Sequence, residues 1–310
     1  PLDLRTLHYP FSDDLVGDLI QSVTAHEAGH AFGIMDANFG EYGYPVDKMG
    51  DVDWGYTMLL SAKHLYDELP FLDAMIREKD SIAWFRFNSD NYGKIGPGNT
   101  NEVVDNNDPV RSTELGLKNI KKVLELLPAL NRDKRDDDLL DRLYDKTLEL
   151  WFDEMKHVTS LIGGVTIYNK AGFQKGDVFE PTPIDEQKRA LKFLIENAFI
   201  VPDWLSSPSF ENRLSYSTGS DILMIHQINL LSDVLNVQRM RRLEFMEKRP
   251  EYRNFIAPLL AELQAGLFHE LHEKETQISK RRQELQLEYI TLLINHLKSE
   301  TNYDNIKVLQ

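Results

Sequence analysis

Two histidines and a glutamate near the start of the 310-residue sequence have the spacing of a metal site. They form an H-E-x-x-H motif made of His26, Glu27 and His30. Residues four apart on a helix project from the same face, so both histidines can reach one metal ion. Glu27 follows the first histidine and is placed to act as general base on a metal-bound water. This arrangement is typical of a zinc peptidase.

A third ligand is expected, because catalytic zinc is held by three protein side chains plus a water. Gly33 predicts the end of the helix, since glycine accepts the left-handed conformation that ends helices. A turn there would bring Asp36 back toward the histidines. We therefore predict His26, His30 and Asp36 as the metal ligands. Four acidic residues of the following loop stay open as alternatives for the third position: Glu41, Asp47, Asp51 and Asp53.

Other interpretations of these histidines stay open. Two structural histidines with a chance glutamate would give the same motif, because the motif is short. The site could also bind zinc without catalysis, since an aspartate ligand makes the metal electronically different from a three-histidine site. Elsewhere, His269 and His272 could share a metal, although no third partner is evident. Isolated histidines are expected to be core or surface residues: His64, His157, His226 and His296.

The composition is that of an ordinary globular protein, with 42% hydrophobic and 27% charged residues. No apolar run approaches the roughly 18 residues that a bilayer crossing needs. The net charge of -15 argues against a nucleic-acid partner, because phosphate binding requires clustered Lys and Arg. Two basic runs, Arg241-Arg242 and Lys280-Arg281-Arg282, lie among acidic residues and are interpreted as solvated helix faces.

The sequence has no cysteine, which excludes disulfides, thiolate zinc ligands and cysteine nucleophiles. It begins at Pro1 without a recognisable signal peptide. We therefore expect a processed product or a piece of a longer chain.

A helix must position the motif, and most of the remaining chain is also predicted to be helical. Apolar residues at every fourth position, from Leu15 to Val23, predict a helix over about 13–33 with Ser12 or Asp13 as its N-cap. Metal-peptidase domains normally brace this helix against a sheet, and no room for one exists upstream. We predict a mainly-α fold in which the upstream sheet is absent from this chain.

Two domains are predicted: a zincin-like catalytic segment over 1–108 and a helical C-terminal domain over 109–310. Two strand-like segments, 165–168 and 177–179, flank a glycine-containing loop and predict a small β-hairpin within the second domain. One helix is predicted from about Ser112 to Pro128, with an apolar stripe of Leu117, Ile120, Leu124 and Leu127. Further helices are predicted over about 61–87, 136–163, 183–201, 220–247, 251–272 and 276–299.

The motif and four further segments resemble zinc-dependent metalloproteases of the gluzincin and metzincin group, and more closely a bacterial family with a C-terminal met-zincin domain. The segments are VTAHEAGHAFG (23–33), IGPGNTNEVV (95–104), STELGLKNI (112–120), SLIGG (160–164) and VPDWL (201–205). The resemblance covers most of the chain. It implies zinc ligation by His26 and His30, Glu27 as catalytic base and a peptide or protein substrate. It also implies upstream domains of the same precursor and an extracellular, periplasmic or cell-surface location.

The sequence departs from the family pattern at two places. Many members have histidine at the position of Asp36. Metzincin-like enzymes also place a methionine turn beneath the metal, and neither Met49 nor Met58 has the expected neighbours. We predict that residues of the family pattern are missing around 54–58. Zinc-dependent peptide-bond hydrolysis is the predicted function, and a catalytically degenerate homologue that acts as an interaction or assembly subunit is the alternative.

Overall fold

The computed structural model describes residues 10–31, 108–130, 137–167, 176–177, 179–215, 218–272 and 278–298. The chain divides into two compact units, Pro1–Gly116 with Ile167–Phe179 and Leu117–Thr166 with Glu180–Gln310. Nine α-helices and one pair of short strands lie within the described residues, so the mainly-α prediction is confirmed. The predicted domain boundary between residues 108 and 109 stays a prediction, and the helix predicted over 61–87 lies outside the described residues.

The α-helices are α1 Asp13–Ala31, α2 Pro109–Leu130, α3 Asp137–Leu161, α4 Ile184–Leu194, α5 Asp203–Ser206, α6 Thr218–Val234, α7 Val237–Met246, α8 Ile256–Leu267 and α9 Lys280–Lys298. A π-helix over Ile195–Phe199 continues α4. Three 3-10 turns lie at Glu211–Arg213, Pro250–Tyr252 and His269–His272. The strands β1 Val165–Ile167 and β2 Phe179–Pro181 pair with each other, which confirms the predicted hairpin. No helix among the described residues combines the length and hydrophobicity that a membrane crossing requires.

Helix α2 begins earlier and ends later than its sequence pattern predicts. Asp108 caps it, because its carboxylate accepts a hydrogen bond from the backbone N–H of Arg111 at 3.0 Å. The helix continues past Pro128 to Leu130, since a proline in the last turn removes only one hydrogen bond. The predicted apolar stripe is confirmed, and its members are all buried: Leu117, Ile120, Leu124 and Leu127.

The core of the second unit is built around α3, which packs against α4 and α6. Helix α9 packs against α6, and α8 packs against α4 and the π-helix. Leu139 and Leu150 of α3 are 37% and 46% exposed. The buried face of α3 consists of Leu140, Tyr144, Leu148, Trp151, Met155 and Val158.

The single helix predicted over 220–247 is two helices, α6 and α7. The break occurs at Asn236, whose side-chain oxygen accepts from the backbone N–H groups of Gln238 at 2.8 Å and Arg239 at 3.4 Å. Asparagine is a strong N-cap because it satisfies N–H groups that have no partner within the helix. A new helix therefore starts inside a continuous helical pattern.

Two arginines of α7 bind the C-terminal end of α3. Arg239 Nη1 donates to the carbonyls of Thr159 and Ile162, both at 2.5 Å. Arg242 Nε donates to the carbonyl of Gly163 at 2.9 Å. Carbonyls at a helix C-terminus lack partners within the helix and favour a nearby cation. The prediction that the first basic run is a solvated face is therefore wrong for Arg242, which is half-buried.

The second basic run is also partly buried. The side chain of Arg282 is 12% exposed, and its guanidinium donates to the carbonyls of Phe199 and Leu267, both at 2.7 Å. The adjacent carbonyl, that of Ala198 in the π-helix, accepts from the Gln227 side chain at 2.7 Å. These side chains supply partners to carbonyls at the ends of the π-helix and α8. The prediction of a solvated face is wrong for Arg282.

Candidate metal centre

The candidate metal centre is carried by α1, which is capped at its N-terminus by Ser12. The Ser12 hydroxyl accepts from the backbone N–H of Leu15 at 3.3 Å, and its carbonyl accepts from that of Val16 at 3.0 Å. Ser12 is therefore the N-cap, one of the two predicted candidates. Of the predicted apolar stripe, Leu15 is buried, whereas Leu19 is about half exposed.

Helix α1 is unbroken from Asp13 to Ala31 and contains the whole H-E-x-x-H motif. Positions 26 and 30 therefore lie on the same helix face, about 6 Å apart along the axis. The side chain of Glu27 is exposed to solvent, so water can reach its carboxylate. The side chains of His26 and His30 are outside the described part, and their roles as ligands stay predictions.

The predicted third ligand, Asp36, lies outside the described residues, as do Gly33 and the segment around 54–58. The alternatives for the third position lie there too: Glu41, Asp47, Asp51 and Asp53. So do the two methionines considered for a methionine turn, Met49 and Met58. The identity of the third ligand stays a prediction.

The donor chemistry on α1 nevertheless fits a zinc ion. Zinc accepts imidazole nitrogen and carboxylate oxygen, and two histidines four apart on a continuous helix are spaced to bind it together. The solvent-accessible carboxylate of Glu27 adds a base beside the first of them. Within a little more than one turn, the helix thus carries two residues of a type that can bind zinc and one of a type that can accept a proton.

The isolated histidines of the second unit are not grouped for metal binding. His157 is 3% exposed, and burial lowers its pKa to about 4. The His226 ring stacks on Phe152 with centroids 4.4 Å apart. As predicted, both are packing residues. Among the side chains that the structure describes, no three His, Asp or Glu residues are placed to hold a metal.

The pair of His269 and His272 was left open by the sequence as a metal site, and the structure describes only the side chain of His269. His269 Nδ1 lies 3.1 Å from the carbonyl of Gly266 and 3.2 Å from Nη2 of Arg282. This ring nitrogen is therefore part of a protein hydrogen-bond network. No third metal donor joins it within the described part of the chain.

The family model described as Met-zincin matches residues 8–53 and 50–275, which together make up most of the chain. The chain belongs to the Met-zincin family. This match confirms the resemblance to a met-zincin family, and it contains the whole of α1 with its motif. A Met-zincin family is of the metallopeptidase type and implies zinc binding.

The Met-zincin match consists of two segments that overlap at residues 50–53. The overlap lies next to positions 54–58, where the sequence predicts missing family residues. Helix α9, which begins at Lys280, follows the end of the match at residue 275. No match to the chain was found among curated proteins or among solved structures.

Proposed function

We propose that this member of the Met-zincin family is a zinc-dependent endopeptidase. His26, His30 and Asp36 bind the zinc ion, and Glu27 is the general base. The observation that carries the proposal is the unbroken helix α1, which holds the motif residues in the required register. Membership of a metallopeptidase-type family supports the same reaction.

A zinc ion bound to these residues would act as a Lewis acid on the substrate carbonyl and lower the pKa of a water toward ~7. Glu27 accepts a proton from the attacking water and delivers it to the leaving amine nitrogen. The carbon–nitrogen bond breaks, and a carboxylate and an amine are released. The exposed position of Glu27 on α1 suits this role, because the carboxylate must meet both water and substrate.

The substitution Glu27→Gln tests the assignment of the base. Glutamine has nearly the same shape but does not accept the proton, so zinc should stay bound while peptide cleavage falls by at least about 100-fold. Asp18→Asn is the matched control, because it removes a carboxylate from an exposed position of the same helix. We expect this control to keep both zinc and activity.

Zinc content and cleavage of a peptide library are measured on the same preparations. Cleavage that survives in Glu27→Gln would show that another residue is the base. A wild-type protein that binds one zinc but cleaves nothing would support the alternative function, a degenerate homologue in interaction or assembly.

We also propose that the protein acts outside the cytoplasm, in the periplasm, at the cell surface or in the medium. The family resemblance supports this location. Fractionation of cells that express the tagged precursor tests it, and recovery in the cytoplasm alone would contradict it.

A further inference from the structure

The packing of α6 against α3 contains a histidine whose ring has no hydrogen-bond partner among the described residues. The ring of His226, on α6, stacks on Phe152 of α3 at an interplanar angle of 16°. Both of its ring nitrogens are buried, and neither has a hydrogen-bond partner in the part of the chain that the structure describes. Among the described helices of the second unit, α3 and α6 form the most extensive pairing. The unpaired nitrogens therefore lie in an interface that holds this unit together.

The environment of His226 favours a neutral ring. A neutral imidazole has one N–H donor, whereas a protonated ring has two donors and a positive charge to solvate. Because neither nitrogen of His226 has an acceptor, protonation would bury a second unpaired donor together with the charge. Water would hydrogen-bond to both N–H donors and solvate the charge. The ring gains this contact with water when α6 detaches from α3.

Among the described residues, the charged groups that act on the His226 ring lie on α3. They are Glu149, Asp153 and Lys156. Each carboxylate is already paired with a lysine of the same helix, Glu149 with Lys146 at 2.6 Å and Asp153 with Lys156 at 3.2 Å. The ammonium of Lys156 also lies 5.3 Å from the centre of the phenyl ring on which the histidine stacks. The carboxylates near the ring would therefore stabilise its positive charge only weakly, because lysines already balance their negative charge.

Helix α5, the π-helix and α9 also pack against α6. Several of their charged side chains pair with one another or with neighbouring segments: Glu196 with Lys192, Lys280 with Glu284, and Arg282 with Glu270. The charge of Asp203 acts on Arg281. Among the described residues, the charges that act on the His226 ring come from α3.

We propose that His226 makes the pairing of α3 and α6 sensitive to acid, so that protonation of its ring loosens α6 from α3. This device is independent of the proposed peptidase function. It would reduce the stability of the second unit when the protein enters an acidic environment.

The direction of the pH dependence follows from the two states of His226. Burial lowers the pKa of its imidazole, and the carboxylates of Glu149 and Asp153 oppose that shift only in part. The detached state therefore takes up the proton more readily than the packed state. The stability of the packed state is therefore greatest above the ordinary histidine pKa of about 6.5 and decreases as the pH falls below that value.

Hydrogen–deuterium exchange of the full chain from about pH 7.5 to about pH 5 tests the proposal, with rates corrected for intrinsic exchange. In the wild-type protein, the opening constant of α6 should rise by roughly threefold or more, while that of α8 changes less. His226→Phe keeps an aromatic ring on Phe152 but does not titrate, so the acid response of α6 should fall to that of α8, which reports the remaining contribution of buried His157. His296→Gln is the control, because it removes a histidine of α9 and should behave like the wild type.

Two outcomes would overturn the proposal. In the first, acid raises the opening constant of α6 in the wild-type protein no more than that of α8. This result does not depend on the folding of any variant. The other is an unchanged acid response of α6 in His226→Phe, which would assign the response to a different group such as His157.

Discussion

Arg282 of α9 donates to both carboxylate oxygens of Glu270, at 2.5 Å to Oε1 and 3.0 Å to Oε2. The two side chains are 12% and 10% exposed. Gln286 donates to the same carboxylate at 3.1 Å. Burial raises the pKa of Glu270, but the hydrogen bond and charge of Arg282 outweigh it and hold that pKa below its usual value. This ion pair joins α9 to the 3-10 turn that follows α8.

Removal of the charge of Glu270 should destabilise the protein strongly. The substitution Glu270→Gln leaves the guanidinium of Arg282 buried without a counterion, and we expect a loss of roughly 3 kcal/mol in the free energy of unfolding. Urea denaturation measures it. The control Glu125→Gln removes the carboxylate of the exposed pair with Lys122, and no measurable loss is expected. Equal small effects of both substitutions would contradict the structural role of the buried pair.

Alanine should have opposite effects at two glycines. Gly163 has a φ of +63°, and a Cβ there would lie 3.2 Å from Arg239 Cγ and 3.3 Å from Leu243 Cγ. Gly163→Ala should therefore cost about 1–2 kcal/mol of stability. At Gly17, inside α1, a Cβ meets nothing within 4 Å, so Gly17→Ala should stabilise its helix by roughly 0.5–1 kcal/mol. Chemical denaturation of both variants checks the signs, and a stabilising Gly163→Ala would refute the strained turn.

His157 should make the free energy of unfolding dependent on pH. Burial lowers its pKa from 6.5 to about 4, while Asp153 opposes the shift. The unfolded chain therefore binds the proton first as the pH falls, and stability is lost between about pH 6.5 and pH 4. The full loss is about 3 kcal/mol. Urea unfolding at several pH values should show a shallower pH dependence for His157→Leu than for wild type, and identical slopes would contradict this.

The third zinc ligand can be distinguished from its alternatives by affinity. If Asp36 binds the metal, Asp36→Ala should weaken zinc binding by at least about 100-fold, because even residues that only support a ligand affect affinity by 10–100-fold. Competition titration with a zinc chelator measures the change. Asp47→Ala is the control and should bind zinc like the wild type. If Asp47→Ala weakens zinc binding and Asp36→Ala does not, the third ligand is Asp47 and not Asp36.

The elements that were predicted correctly depend on local signals. The stripe of α2 and the cap of α1 are set by neighbouring residues, so periodicity and a serine were enough to identify them. The start of α7 was missed, because Asn236 lies inside a longer helical pattern and its capping role is visible only from the backbone it contacts.

Burial of charged residues could not be predicted from the same patterns. Arg242 binds the carbonyl of Gly163, 79 residues away, and Arg282 binds that of Phe199, 83 residues away. Such partners are brought together only by the tertiary fold. The candidate metal centre also combines a local signal with a tertiary one. The two histidines on one helix are predictable from their spacing. The third ligand depends on the path of the chain beyond the helix.

The zinc content of the purified 310-residue chain tests the central claim most directly. After exposure to zinc and removal of excess metal, elemental analysis should find one zinc per chain in the wild type. His30→Ala should retain almost none, whereas His296→Gln should keep one. A folded wild-type protein that holds no zinc, or a His30→Ala variant that holds as much as the wild type, would contradict a metal centre on α1.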